Sequence, residues 1–293
     1  MHSHTSWNAL LIWRRAAVAI LWLSAGTAAS LLADTPADVV IRGVAVVDVR
    51  RGEVMPGRDI VIRGTHIASV ALSGQVLPHA KTAIDGRGKF ASPGLIDAEV
   101  TLARMSRGTA AALLADGITA VRDVGTSPDR IAEWRRELAH GKIYSPRIAR
   151  ACPTATAAPT AESGCGPPSV YSAVLAALLD ARAQRLAGSA GVARLGLHEE
   201  LELRVRAGFT SVAALRAVTI ESAQMLLAAD LGEVAAGMAA DLVVTTANPL
   251  ADIRNLRLID AVVFRGEALT QAHLNLLRSR PASADGVSFQ RNW

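Results

Sequence analysis

Asp97 and Glu99 stand two residues apart in the stretch S-P-G-L-I-D-A-E-V-T-L, residues 92–102. A Pro-Gly turn followed by an apolar run reads as a strand, and residues i and i+2 of a strand project from the same face. Two carboxylates on one face can hold a hard cation through oxygen ligands. Asp123, in the next strand-like segment, adds a third oxygen donor if the two strands are neighbours. The carboxylate cluster Asp97, Glu99 and Asp123 is therefore one candidate metal site. The alternative is that Glu99 is solvated, or paired with Arg104 or Arg122.

Other chemistry is thinly supplied. Downstream of residue 33 the histidines are His66, His79, His140, His198 and His273, and the lysines are Lys81, Lys89 and Lys142. None is spaced as a ligand pair. His140 precedes Gly141 at the expected end of a helix, where the dipole favours an imidazolium. Nucleophilic hydrolysis has no support: no G-x-S-x-G elbow is present, and no histidine is placed to activate Cys165. We assign no catalytic residue. Cys152 and Cys165 flank a segment rich in Thr, Ala and Pro. In an exported protein they can close a disulfide; in a reducing compartment they are two thiols.

The elements that would position these groups follow from pattern. Residues 37–84 alternate apolar and polar positions around R-R-G-E and R-G-T turns, a β-meander. Residues 106–117 read as a helix stopped by Gly117, 118–125 as a strand, and Ser127-Pro128 as the start of a helix running to about residue 140. A third strand begins at S-P-R-I-A-R-A. Residues 152–169 read as loop, 170–186 as an Ala-rich helix and 188–196 as loop. From Leu197 an amphipathic helix ends at Gly208, and Thr210 and Thr219 are placed to cap two more helices. Strands follow at about 241–246 and 261–265. Strands alternating with helices imply a parallel sheet or barrel.

Length and composition bound the rest. The chain has 293 residues, 51% hydrophobic, enough for one large or two small domains. The net charge is +5, with 31 basic residues of which three are lysine and 4% aromatics. No basic stripe with interleaved aromatics occurs, so nucleic-acid binding is not indicated. Residues 1–33 carry the basic pair Arg14-Arg15, an apolar run and small residues, the pattern of a signal peptide or of an uncleaved anchor. Export to the periplasm or cell envelope is the expected destination, and membrane contact is expected only if that segment stays attached.

The opening stretch resembles the first barrel strand of the amidohydrolase superfamily, P-G-L-I-D-A-H-V-H. The block L-G-E-V-A-A-G-M-A-A-D-L-V-V resembles the closing segment L-G-x-I-x-P-G-K-x-A-D-L-V-V of its imidazolonepropionase-like and prolidase-like members. The resemblance covers residues 37–150 and 197–267. It implies an α/β fold: a (β/α) TIM-type barrel beside a small composite β-sandwich built from both ends of the chain. It also implies metal-assisted hydrolysis of a carbon-nitrogen bond with one or two divalent metals such as zinc. Glu99 and Thr101 stand where the family's two metal-binding histidines belong, no lysine is placed for a bridging carbamate, and Ala190 replaces the aspartate of strand eight. Residues 93–229 number 137, against roughly 200 at least for a complete barrel. The expectations are therefore a sandwich of residues 34–90 and 238–270, an incomplete barrel of residues 91–237, a tail of residues 271–293, no cofactor and a degenerate site. The partner is unknown; a second copy completing the barrel as a homo-oligomer is one expectation.

Overall fold

The computed structural model describes residues 36–74, 78–152 and 196–279. The signal or anchor segment, the helix expected at 170–186 and its flanking loops, and the end of the tail lie outside the described residues. Among the described residues no helix is long and apolar enough to cross a membrane.

In chain order the strands are β1 (Ala37–Asp48), β2 (Glu53–Arg63), β3 (His66–Leu72), β4 (Ala80–Asp85), β5 (Phe90–Pro93) and β6 (Leu95–Val100). Then α1 (Arg107–Ala115), β7 (Ile118–Val124), α2 (Pro128–Ala139) and β8 (Arg147–Cys152) alternate. The chain returns as α3 (Leu197–Arg206), α4 (Ser211–Ala217), α5 (Ile220–Met225), β9 (Leu242–Thr245), β10 (Ile259–Phe264), β11 (Glu267–Thr270) and α6 (Gln271–Arg278).

The two ends of the chain do combine, but as one eight-stranded sheet and not as two separately bonded layers. Its order is β11-β10-β9-β5-β1-β2-β3, with β4 also on β1. One long strand makes this possible. The first half of β1 pairs with β4 and its second half with β5, while β2 runs along its other edge. Register shifts at Ile41/Val44 and Val44/Val46 bend β1 between these duties. Gly43 supplies the positive φ of 67° at the first shift, and its N–H donates to Asp59 Oδ1 at 2.7 Å. Val39, Ile41, Val46, Ile60, Leu242 and Val263, from strands of both chain ends, share one core.

The second sheet is β6-β7-β8, all parallel. Every residue of β7 except Val124 is buried, the mark of a strand covered on both faces. Its outer face packs Val121 with Leu114 of α1 and Trp134 of α2. Its inner face packs Ala120 with Ile96, Ala223, Leu226 and Leu231. Trp134 is wholly buried, and its indole N–H donates to Ser145 Oγ at 2.8 Å. No closed barrel forms among the described residues. The chain is a mixed α/β protein with one parallel and one mixed sheet.

Residues 271–278, grouped with the tail by sequence, form α6. Leu274 and Leu277 anchor it in the core, and Thr270 with His273 makes a capping box at its start. The caps at Ser106 and Thr210 accept from the N–H of Thr109 and Ala213. Ser127 makes no side-chain cap bond, and Thr219 donates its hydroxyl to Leu215 O at 2.7 Å instead.

Candidate functional site

The candidate site is the C-terminal end of β6 and the strands beside it. What aims β6 is the Pro-Gly step. Gly94 N–H donates to Asp241 O at 2.8 Å and Leu95 N–H to Gly117 O at 2.9 Å. A Cβ on Gly94 would lie 2.1 Å from Thr119 Oγ1, so only glycine lets β6 start this close to β7. Asp241 is 4% exposed; burial pushes its carboxyl up, and Arg147 Nη2 at 2.8 Å opposes that. The strand carrying the expected site is thus held at its base by backbone bonds and a buried ion pair.

The expected carboxylate cluster does not assemble. Among the described residues no group of three or more His, Cys, Asp and Glu side chains is placed to hold a metal. The reason is the direction of Asp123. Its fully buried carboxylate accepts from Leu102 N at 2.7 Å, from Thr126 N at 3.0 Å and from Thr126 Oγ1 at 2.7 Å. It ties the turn after β7 to the short 3-10 turn after β6. Three charge-assisted bonds leave it little capacity for a ligand. The D-V-G-T spacing was the available signal, since Asp and a hydroxyl three residues on form a local turn.

Asp97 Oδ1 accepts from Glu99 N at 3.0 Å. Glu99 itself is exposed. Thr101, in the place of the family's second histidine, donates its hydroxyl to Val124 O at 3.0 Å. Arg122 is the cation that answers these carboxylates. It is 3% exposed and its Nε donates to Ala98 O. Burial pulls its pKa down, while Glu99 and Asp97 pull it back up.

The histidines are dispersed. His66 lies in β3 beside Thr65, His79 precedes β4, and His273 caps α6. His140 closes α2, its Nδ1 lying 2.7 Å from Arg136 O. His198, in the first turn of α3, is 8% exposed and contacts Asp116 O at 2.8 Å through Nε2. A carbonyl only accepts, so Nε2 carries the proton. Burial lowers its pKa, with Arg257 adding to the effect and the Asp116 bond opposing it. It joins α3 to the end of α1 and is remote from Glu99. Lys81 pairs with Asp38 and Lys89 with Asp260, each at 2.7 Å. Cys152 is disulfide-bonded. Cys165, the partner expected for it, lies outside the described residues.

No protein-family profile matches the chain. Two curated proteins match locally. An adenine deaminase of Rubrobacter xylanophilus is 39% identical over 71 residues, 24% of this chain and 12% of the relative. An adenine deaminase of Paracoccus denitrificans is 33% identical over 113 residues, 37% of this chain and 18% of the relative. The matched segments thus span less than a fifth of either relative's length. Solved structures agree over most of the chain. Molinate hydrolase gives a TM-score of 0.63 at 16% identity, covering 87% of this chain and 100% of that one. A Xaa-Pro dipeptidase with bound methionine in the active site gives 0.61 at 17%, covering 79% and 99%. Phenylurea hydrolase B gives 0.59 at 14%, covering 83% and 100%. The chain therefore shares its fold with solved structures that include prolidases and an amidohydrolase.

This corrects the expectation that no cofactor is bound. The homologues are metal-dependent amidohydrolases, which conflicts with that expectation. The donors described here do not fit such an ion: Asp123 is spent on local bonds, Thr101 is turned to Val124 O, and no third ligand joins Asp97 and Glu99.

Proposed function

We propose that this chain is a degenerate amidohydrolase with an incomplete (β/α) barrel. Its inherited reaction is metal-assisted hydrolysis of a carbon-nitrogen bond in an amide, dipeptide or cyclic amide, and it carries that reaction out weakly or not at all. The observation behind this reading is the state of the strand ends: Thr101 and Asp123 are committed to Val124 O and to the 102 and 126 amides. Asp123 already accepts three hydrogen bonds, and among the described residues no group of three or more His, Cys, Asp and Glu side chains is placed to hold an ion. The test supplies zinc and manganese in every assay, so the ion is never limiting. Purified protein is assayed against Xaa-Pro dipeptides, N-aryl amides and adenine. Turnover at least a thousandfold below the ordinary enzyme value of about 10 per second is expected. Turnover near that value would sink the proposal.

One observation favours a second reading. Asp97 and Glu99 do lie together at a strand end, with Glu99 open to solvent. A working site rebuilt on them would lose activity and bound metal together in Glu99→Gln. We also propose that residues 1–33 direct export to the periplasm or cell envelope. Mass spectrometry of the mature N-terminus would decide between a cleaved signal and an anchor, and native mass between a single copy and a homo-oligomer.

A further inference from the structure

The C-terminal end of α1 is met by side chains from two distant parts of the chain. His198, at the start of α3, donates its Nε2–H to Asp116 O at 2.8 Å, and Arg278, at the end of α6, donates Nη2 to Ala115 O. Both answer carbonyls that a helix end leaves without partners. Neither side chain is used up by this. With Nε2 protonated, Nδ1 of His198 keeps a lone pair, and no donor among the described residues meets it. The Nε of Arg278 lies 3.6 Å from Asp116 Oδ1, and its Nη1 has no acceptor among the described residues.

His198 and Arg278 line a cavity of about 560 Å³, within the usual range of small-molecule sites. Arg257, Leu258 and Thr246 line it too. Arg257 gives its Nε to Glu202 Oε1 at 2.8 Å, which leaves both of its Nη groups. It is close enough to His198 to help lower the imidazole's pKa. Leu258 is 48% exposed, and its carbonyl accepts from Thr246 N at 2.9 Å, which fixes the two together. The spare groups differ in kind. The Nη groups donate with charge assistance, the partner of choice for a carboxylate. The neutral Nδ1 of His198 only accepts, so a ligand gains from it by bringing a donor of its own. Leu258 favours carbon over a second charge. Glu202 and Asp116 already offset part of both guanidinium charges, so one negative charge suits the cavity better than several.

We propose that this cavity binds a small hydroxycarboxylic acid with an apolar end. The carboxylate takes the free edges of Arg257 and Arg278, the hydroxyl donates to His198 Nδ1, and the carbon end lies on Leu258. The site is at the base of β6, where Gly117 O accepts from Leu95 N, whereas Glu99 is near the other end of that strand. Binding there needs no metal and no turnover, so it stands or falls separately from the hydrolytic reading.

The test titrates 2-hydroxybutyrate into the full chain, labelled with carbon-13 at the histidine Cε1, at constant ionic strength. The pH is held above 6.5, where His198 is neutral. His198→Gln assigns the His198 resonance by its loss. That resonance is expected to move saturably, with a Kd of about 1 mM, while exposed His140 stays in place. Arg257→Met should weaken binding at least about tenfold, the loss of a charge-assisted bond. Arg257 is exposed and Glu202 keeps Arg206 at 3.6 Å, so this variant folds. Butyrate, which lacks the donor, should bind about threefold or more weakly than 2-hydroxybutyrate. No saturable movement of the His198 resonance, an equal movement at His140, or unchanged affinity in Arg257→Met overturns the proposal. Butyrate binding as tightly as 2-hydroxybutyrate overturns the part assigned to His198 and with it the class of ligand.

Discussion

Substituting Gly94 by alanine should break the base of the candidate site, and the size of the effect follows from three contacts. An added Cβ would meet Thr119 Oγ1 at 2.1 Å, Cγ2 at 2.7 Å and Cβ at 2.9 Å. A rotamer change of Thr119 clears the first two but not the third. Nor is Gly94 able to retreat, because its N–H is bonded to Asp241 O and the next N–H to Gly117 O. Overpacking a closed site costs roughly 1–3 kcal/mol, and a stiff β-branched neighbour on a buried strand puts this one near the upper end. The measurement is urea unfolding followed by circular dichroism, with Gly94→Ala, Thr119→Ala and the double variant compared in a cycle. Thr119→Ala removes two of the three contacts, so the double variant should recover about 1–2 kcal/mol relative to additivity, within the range seen for touching residues. If Gly94→Ala unfolds within about 0.5 kcal/mol of the parent, the distance that such surface-like substitutions span, then the close approach of β6 to β7 is not what requires glycine. Strict additivity in the cycle would refute the reasoning equally.

Leu227 sits in the left-handed region at φ 56°, 58% exposed, as the residue that closes α5 in a Schellman turn. Leu227→Gly should therefore stabilise the chain by about 0.5–1 kcal/mol, the strain relieved less the added freedom of the unfolded chain; an unchanged or lower urea midpoint would contradict that conformation. Ser145→Ala should cost about 1–3 kcal/mol by leaving the Trp134 N–H buried and unbonded, checked by the same unfolding curves. His198 makes stability depend on pH: its pKa is lowered from 6.5, so the folded state binds fewer protons than the unfolded one. Its contribution is complete above pH 6.5 and is lost as the pH falls from there through the folded value. The buried Asp241, whose pKa is raised, acts in the opposite sense as the pH climbs above 3.8, so the comparison is parent against His198→Gln at each pH. The parent should lose stability relative to the variant below pH 6.5, and parallel curves would contradict the assignment.

How much of this was readable in advance depends on the reach of each interaction. Local chemistry read well: the meander of β1 to β3, the stop at Gly117 and the cap at Thr210 all depend on residues a few positions apart. Ser127 read less well, since it precedes the helix as expected but makes no side-chain cap bond. The role of Asp123 was ambiguous in kind. An aspartate at a strand end is the same letter whether it meets a metal or turns back onto Thr126, and only the position of Leu102 N decides. The single eight-stranded sheet depends on which half of β1 meets which partner, and alternation within a strand says nothing about that.

The position of β9 in the middle of the mixed sheet has a consequence in time. β5 ends at Pro93, and its antiparallel partner β9 begins at Leu242. A ribosome adding about 5–20 residues per second needs roughly seven to thirty seconds to make the intervening chain. Throughout that interval the nascent protein has a growing parallel sheet on one side and an unzipped seam along β5 on the other. The first part synthesised is thus among the last to be sealed. For this chain, the vulnerable period in the cell is the wait for its own far end to arrive.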